Sequence, residues 1–160
     1  MTEPDQADQS GQAEEHKPGL VRWLGYSGLL PFIIAAVLSL FGIAGALAFF
    51  LAYSAMILAF MAGACWGVGQ GHHQRMGYWL PGVSIAVFLW GLAAWVLVAI
   101  IGSEFTLIAL VAGYLVLYLM ELQPLFREVY SPVYRRLRRH LTLVVVVVHL
   151  LLIGVAEISQ

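Results

Sequence analysis

Charge is what this 160-residue chain has least of. Only 11% of its residues are charged, against roughly 25% in ordinary soluble domains. Between Trp23 and Phe126 the charged side chains are Arg75, Glu104 and Glu121 alone, and each falls at a break between long apolar runs. Cysteine is nearly absent: the single Cys65 excludes an intrachain disulfide and a thiolate metal cluster supplied by one chain. Also missing are a phosphate-cradling glycine loop, a nucleophile elbow and any pair of carboxylates inside an apolar run, so no catalytic machinery is evident. The apolar runs lack the alternation of barrel strands, and a bilayer cannot hydrogen-bond a bare backbone, which leaves helices as the consistent spanning unit.

What is present is apolar length. The hydrophobic fraction is 61% and the mean hydropathy +0.86, more than a soluble fold of this size could hide. An α-helix needs about 20 apolar residues to cross a hydrocarbon core of roughly 30 Å. Five candidate stretches follow one another, at about 20–41, 46–69, 78–101, 104–120 and 141–156. The reading is an all-α polytopic membrane protein: a bundle of five transmembrane helices over residues 19–160, preceded by an acidic tail over 1–18. That tail carries Glu3, Asp5, Asp8, Glu14 and Glu15 with almost no aliphatic residues, a composition that cannot offset its ordering entropy and is expected to be disordered. It lacks the basic start and early apolar core of a secretory signal and is expected to stay uncleaved.

Within the runs, Pro31 predicts a kink in the first span. Gly42 to Gly45 is the only turn available before the second, so those two spans form a tight hairpin. Ser103 and Glu104 suit the cap and first turn of span four, and Ser131 followed by Pro132 suits the cap and first turn of another helix. All eight basic residues fall on one side of a five-span path: Lys17 and Arg22 before span one, Arg75 between two and three, and Arg127, Arg135, Arg136, Arg138 and Arg139 between four and five. An excess of Lys and Arg marks the cytoplasmic side, which puts the N-terminus inside and the C-terminus outside. The expected location is a bacterial inner membrane, with a matrix-side N-terminus as the mitochondrial equivalent.

Span two holds the most specific local pattern: Ala55, Ala59, Gly63, Gly67 and Gly71, all four apart. Small residues at that spacing make a groove along one helix face, suited to an internal helix contact, to self-association, or to a lipid or quinone-like ligand. Trp66 beside it reads as an interfacial anchor. His72 and His73 follow, pointing in different directions, and a metal site there would need further ligands such as His140 and Glu121. His149 is different, because an ionisable group inside a span is a functional-site candidate by default. It lies roughly 13 Å deeper than His140, at the depth of Ser54, Tyr53, Trp90 and Tyr114. A neutral imidazole bonded to Tyr114 or Ser54 is the structural expectation, and a proton relay the functional one. Arg135, Arg136, Arg138 and Arg139, interleaved with Tyr130 and Tyr134, are expected to meet lipid phosphate. No metal, cofactor or nucleic-acid partner is expected; the partners are anionic lipid headgroups and another membrane protein or a second copy.

Three segments carry a resemblance: WLGYSGLLPF at Trp23–Phe32, LAFMAGACWG at Leu58–Gly67 and YRRLRRHLTLVVVVV at Tyr134–Val148. In this order they resemble the membrane family typified by transmembrane protein 69, also called domain of unknown function 3429, over about Arg22 to Ile153. The resemblance implies five spans and a bacterial inner or mitochondrial membrane, without an assigned activity; it also implies Trp where this chain has Val133. Two functions are carried forward: an accessory, assembly or scaffold protein packing through the small-residue face, and a small transporter or proton-coupled channel using His149. An enzyme is not expected.

Overall fold

The computed structural model describes Trp23 and residues 25–71 and 79–158. The acidic tail, Lys17, Arg22, His72, His73 and Arg75 lie outside the described residues. Among those described the chain is all helical: α1 (Leu29–Leu40), α2 (Ala46–Gly71), α3 (Trp79–Val96), α4 (Val98–Glu121), the short α5 (Pro124–Val129) and α6 (Pro132–Ile158). Four of them, α2, α3, α4 and α6, are long and apolar enough to cross a membrane. This is the pattern of a multi-pass membrane protein.

The first apolar run yields a shorter helix, 25–40, of about 24 Å at 1.5 Å per residue. Its ladder breaks at Gly28, three residues before Pro31, because proline has no N–H to return to the preceding turn. The N–H that Pro31 lacks would have gone to the Ser27 carbonyl, one turn back; the neighbouring Gly28 carbonyl accepts the Tyr53 hydroxyl from α2 at 2.8 Å. The turn to α2 runs through Gly42 and Gly45, at φ +69° and +80°, backbone that glycine adopts without a Cβ penalty.

The break between the third and fourth runs sits earlier than the sequence suggests. Helix α3 ends at Val96 rather than Ile101, and the chain then makes a short helical stretch before Gly102, whose φ of +82° and ψ of +162° interrupt α4. The Thr106 hydroxyl donates to the Gly102 carbonyl at 2.8 Å and lies 3.3 Å from that of Ala94. It thereby ties the kink to the end of α3, and Glu104 falls in the first turn after the kink. At the other end, Ser131 Oγ accepts the Tyr134 N–H at 3.2 Å, and the last helix starts at Pro132, nine residues before the expected span. The arginine cluster is therefore helical, in line with the apolar stretch that follows it.

Helix α2 packs against α1, α3 and α4, while α6 packs against α4 and α1. At the centre, the fully buried Leu58 fills space left by two glycines of other helices: a Cβ on Gly91 or on Gly113 would come within 2.9 or 2.7 Å of the same Leu58 methyl carbon. Outward-facing positions carry large apolar side chains, such as Ile100 (81% exposed) and Phe60 (74%), the arrangement expected where the surroundings are as apolar as the side chains.

Candidate functional site

The inward stripe of α6 decides what the site contains. Leu137 aside, its buried residues Arg138, Thr142, Val145, His149 and Leu152 recur at alternating steps of four and three, the seam spacing of packed helices. Three of the five are polar, so a stripe that would ordinarily be aliphatic presents an arginine near one end of the bundle and a histidine about 16 Å further in.

At the deeper level His149 meets Ser54 of α2 and Tyr114 of α4, all three with no exposed surface. His149 Nδ1 lies 2.8 Å from the Val145 carbonyl, which can only accept, so the proton is assigned to Nδ1. A neutral ring then accepts the Ser54 hydroxyl at Nε2, 2.9 Å away. The Tyr114 hydroxyl donates to the Ser54 carbonyl at 2.8 Å. Phe50 and Phe32 close the ring's other sides, at centroid distances of 4.9 and 5.6 Å. Each polar atom of the imidazole is thus used within a buried shell. Of the other groups placed at this depth by sequence, Tyr53 turns to Gly28 and Trp90, half exposed, donates to the Ala109 carbonyl at 2.7 Å.

Near the end of the bundle Arg138 is buried, 5% exposed, which corrects its reading as a lipid-phosphate ligand. Its guanidinium forms a salt bridge through Nε with Glu121, the last residue of α4. It also donates to Tyr134 Oη and to the Met61 carbonyl, both at 2.9 Å. Tyr134 and Arg138 are one helical turn apart and share a face; the rings of Tyr130 and Tyr134 both stand 5.9 Å from the guanidinium carbon. Cys65 Sγ lies 3.7 Å from Glu121 Oε1 and 3.7 Å from the guanidinium. The basic residue is held because burying a charge is tolerable only when it is paired and hydrogen-bonded.

Around this pair lie two cavities. One, of about 310 Å³, is apolar and runs between α1, α2 and α6, bordered by Phe32, Phe60, Met61, Leu137 and Val145 with Arg138 at its wall. The other, of about 350 Å³, is basic: Arg127, Arg135, Arg136 and Arg139 line it with Tyr118, Tyr130 and Glu121. Burial pushes the Tyr130 phenol above its usual value, so it remains a protonated donor. Arg127 and Tyr130 stand outside the arginine run of α6, and only the tertiary structure puts them in the lining of the same cavity.

The small-residue pattern divides. Ala55 is buried and Ala59 half-buried, whereas Gly63, Gly67 and Gly71 are exposed, and among the described residues no atom beyond their own stretch of helix lies within 4 Å of a Cβ built on any of them. They do not form the internal helix seam. The close approaches occur at glycines outside the pattern, Gly91 and Gly113 against Leu58, and Gly69, where a Cβ would come within 2.8 Å of Pro81. Trp66 is 44% exposed. Among the described residues no three His, Cys, Asp or Glu side chains are grouped to hold a metal; Glu121 is engaged by Arg138 and His140 is exposed.

A protein-family profile described as "Protein of unknown function (DUF3429)" matches residues 17–154. The chain belongs to this family. The match takes in both levels of the polar stripe, so the Arg138–Glu121 pair and the Ser54–Tyr114–His149 node both lie inside the DUF3429 region. No curated protein and no solved structure matches the chain.

Proposed function

We propose that this DUF3429 protein is an accessory or assembly subunit of a membrane complex, seating a transmembrane helix of a partner protein against the outward face of α2. The observation that carries this reading is the open stripe at Gly63, Gly67 and Gly71. A hollow of about 320 Å³ adjoins it, lined by Ala59, Ala62, Gly63, Trp66, Ser84, Ile85 and Phe88. Association inside a bilayer relies on dispersion packing, and bare backbone on one helix lets a second approach closely. The partner is read as another protein's helix, with self-association as the other outcome. A Cβ at either glycine meets no described atom beyond its own helix within 4 Å, so Gly63→Leu and Gly67→Leu, checked for retained helicity, should convert the native-gel complex to the free protein. Wild-type migration of both variants would sink the idea.

The same reading includes five spans, a bacterial inner membrane or its mitochondrial equivalent, a cytoplasmic N-terminus and an external C-terminus, and a likeness to transmembrane protein 69. Supporting it, Arg127, Arg135, Arg136, Arg138 and Arg139 gather at one end of the bundle, and helix 25–40 continues the apolar run that begins near Leu20. An exported N-terminal reporter fusion overturns the orientation. No reaction is assigned to the protein. Transport through His149 has less support, since the imidazole is sealed among Phe32, Phe50 and Tyr114; a proton flux in liposomes that His149→Gln abolishes would revive it.

A further inference from the structure

We propose that the basic cavity between the end of α4, helix α5 and the start of α6 is a discrete binding site for a phosphate group. Four arginines line it, Arg127 on α5 and Arg135, Arg136 and Arg139 on α6. The acid in its lining, Glu121, is already neutralised by Arg138, which stands behind the cavity wall. The four arginines therefore face the space with no counter-charge drawn from that wall.

Two buried donors in this lining sharpen the inference. Arg135 Nε and Tyr130 Oη have no hydrogen-bond partner among the described residues, although each atom is shielded from solvent. A buried donor left unmade costs the full desolvation of its group, and folded proteins satisfy nearly all such groups. Both residues line the same cavity, so a turn of each side chain toward it would let one acceptor-rich occupant satisfy both donors. Three further requirements fix its chemistry. It must be an anion, because four positive charges surround it. It must offer several acceptors in a compact geometry, since guanidinium forks bind phosphate and carboxylate with paired N–H···O bonds. And it is free to be larger than a bare ion, because the partly open cavity offers about 350 Å³, more than ten times the roughly 30 Å³ occupied by a water in the liquid. A phosphate together with the group it esterifies meets all three.

The site's position bears on the source. It lies where α4 ends and α6 begins, at the ends of two helices long and apolar enough to cross a membrane, a position open to a phospholipid headgroup and to a free phosphate from solution alike. Arginines spread over a surface would attract anionic lipid diffusely, in proportion to charge. A built cavity predicts saturation at one equivalent, with a special dependence on the two buried donors.

The full-length protein in neutral mild detergent is titrated separately with a short-chain phosphatidylglycerol, a short-chain phosphatidylcholine and inorganic phosphate, and binding is read by native mass spectrometry and by the shift in melting temperature. One equivalent of phosphatidylglycerol bound in preference to phosphatidylcholine, with inorganic phosphate inert, supports the site with lipid as its source. Saturable binding of inorganic phosphate supports it with a soluble source. Loss of one charge-assisted contact in Arg139→Gln or Arg127→Gln should weaken binding roughly tenfold. Tyr130→Phe, which keeps the ring beside Arg138 and removes only the orphan hydroxyl, should weaken it severalfold without lowering the melting temperature of the ligand-free protein. Arg135→Gln tests the second donor, and Arg135→Lys, which retains the charge, keeps the test decisive if the glutamine variant does not fold. Non-saturable binding, or affinity unchanged in Tyr130→Phe and in both Arg135 variants, overturns the proposal.

Discussion

Replacing Arg138 with leucine should be among the most damaging single changes in the protein. The salt-bridged side chains of Arg138 and Glu121 are 6% and 11% exposed, so Arg138→Leu strands a carboxylate whose other polar neighbour is Cys65 Sγ at 3.7 Å. Breaking one partner of a buried ion pair costs roughly 3–5 kcal/mol, and about 3 kcal/mol corresponds to a shift of about two powers of ten in the folding equilibrium. Glu121→Leu should cost less, because the stranded guanidinium keeps the Met61 carbonyl and Tyr134 hydroxyl as acceptors and its long stem can lean toward the headgroup region. The double variant Glu121→Leu/Arg138→Leu removes both charges and should lie within about 1 kcal/mol of wild type. Reversible unfolding in mixed micelles, followed by tryptophan fluorescence, measures all three. If Arg138→Leu costs under about 1 kcal/mol, or the double variant costs the sum of the two singles, the pair is not the buried, mutually dependent unit described here.

Two glycine comparisons separate conformation from space. Gly102 and Gly63 both have open surroundings, but only Gly102 has a positive φ, so Gly102→Ala should destabilise by about 1–3 kcal/mol, whereas Gly63→Ala stays within about 0.5 kcal/mol; equal effects in the same assay would refute the assignment of strain. Gly113→Ala places a Cβ 2.7 Å from a Leu58 methyl that Gly91 confines on another side; it should cost about 1–3 kcal/mol and be partly restored by Leu58→Val, and a purely additive double variant would show that the clash is not local.

The scarcity and placement of charge determined much of this by themselves. Apolar length alone dictates helices in a bilayer, and the turn at Gly42–Gly45 and the cap at Ser131 follow from residues whose local chemistry leaves few alternatives. His149 was visible because an ionisable residue in an apolar run is conspicuous, and its partners Ser54 and Tyr114 because depth along a helix is simple arithmetic.

Azimuth is not. Which way each helix turns around its axis depends on packing against helices distant in sequence, and in a chain apolar on nearly every face no polar stripe declares the outside. So Gly63, Gly67 and Gly71, which share a pattern suited to close packing, face outward, while Gly91 and Gly113, which share no pattern, hold the centre. Arg138 and Arg139 are neighbours in one basic run, and sequence treats them alike. The step of about 100° between them on a helix places Arg138 against Glu121 in the interior and Arg139 at the rim of the basic cavity, a division that exists only once α4 and α6 have packed.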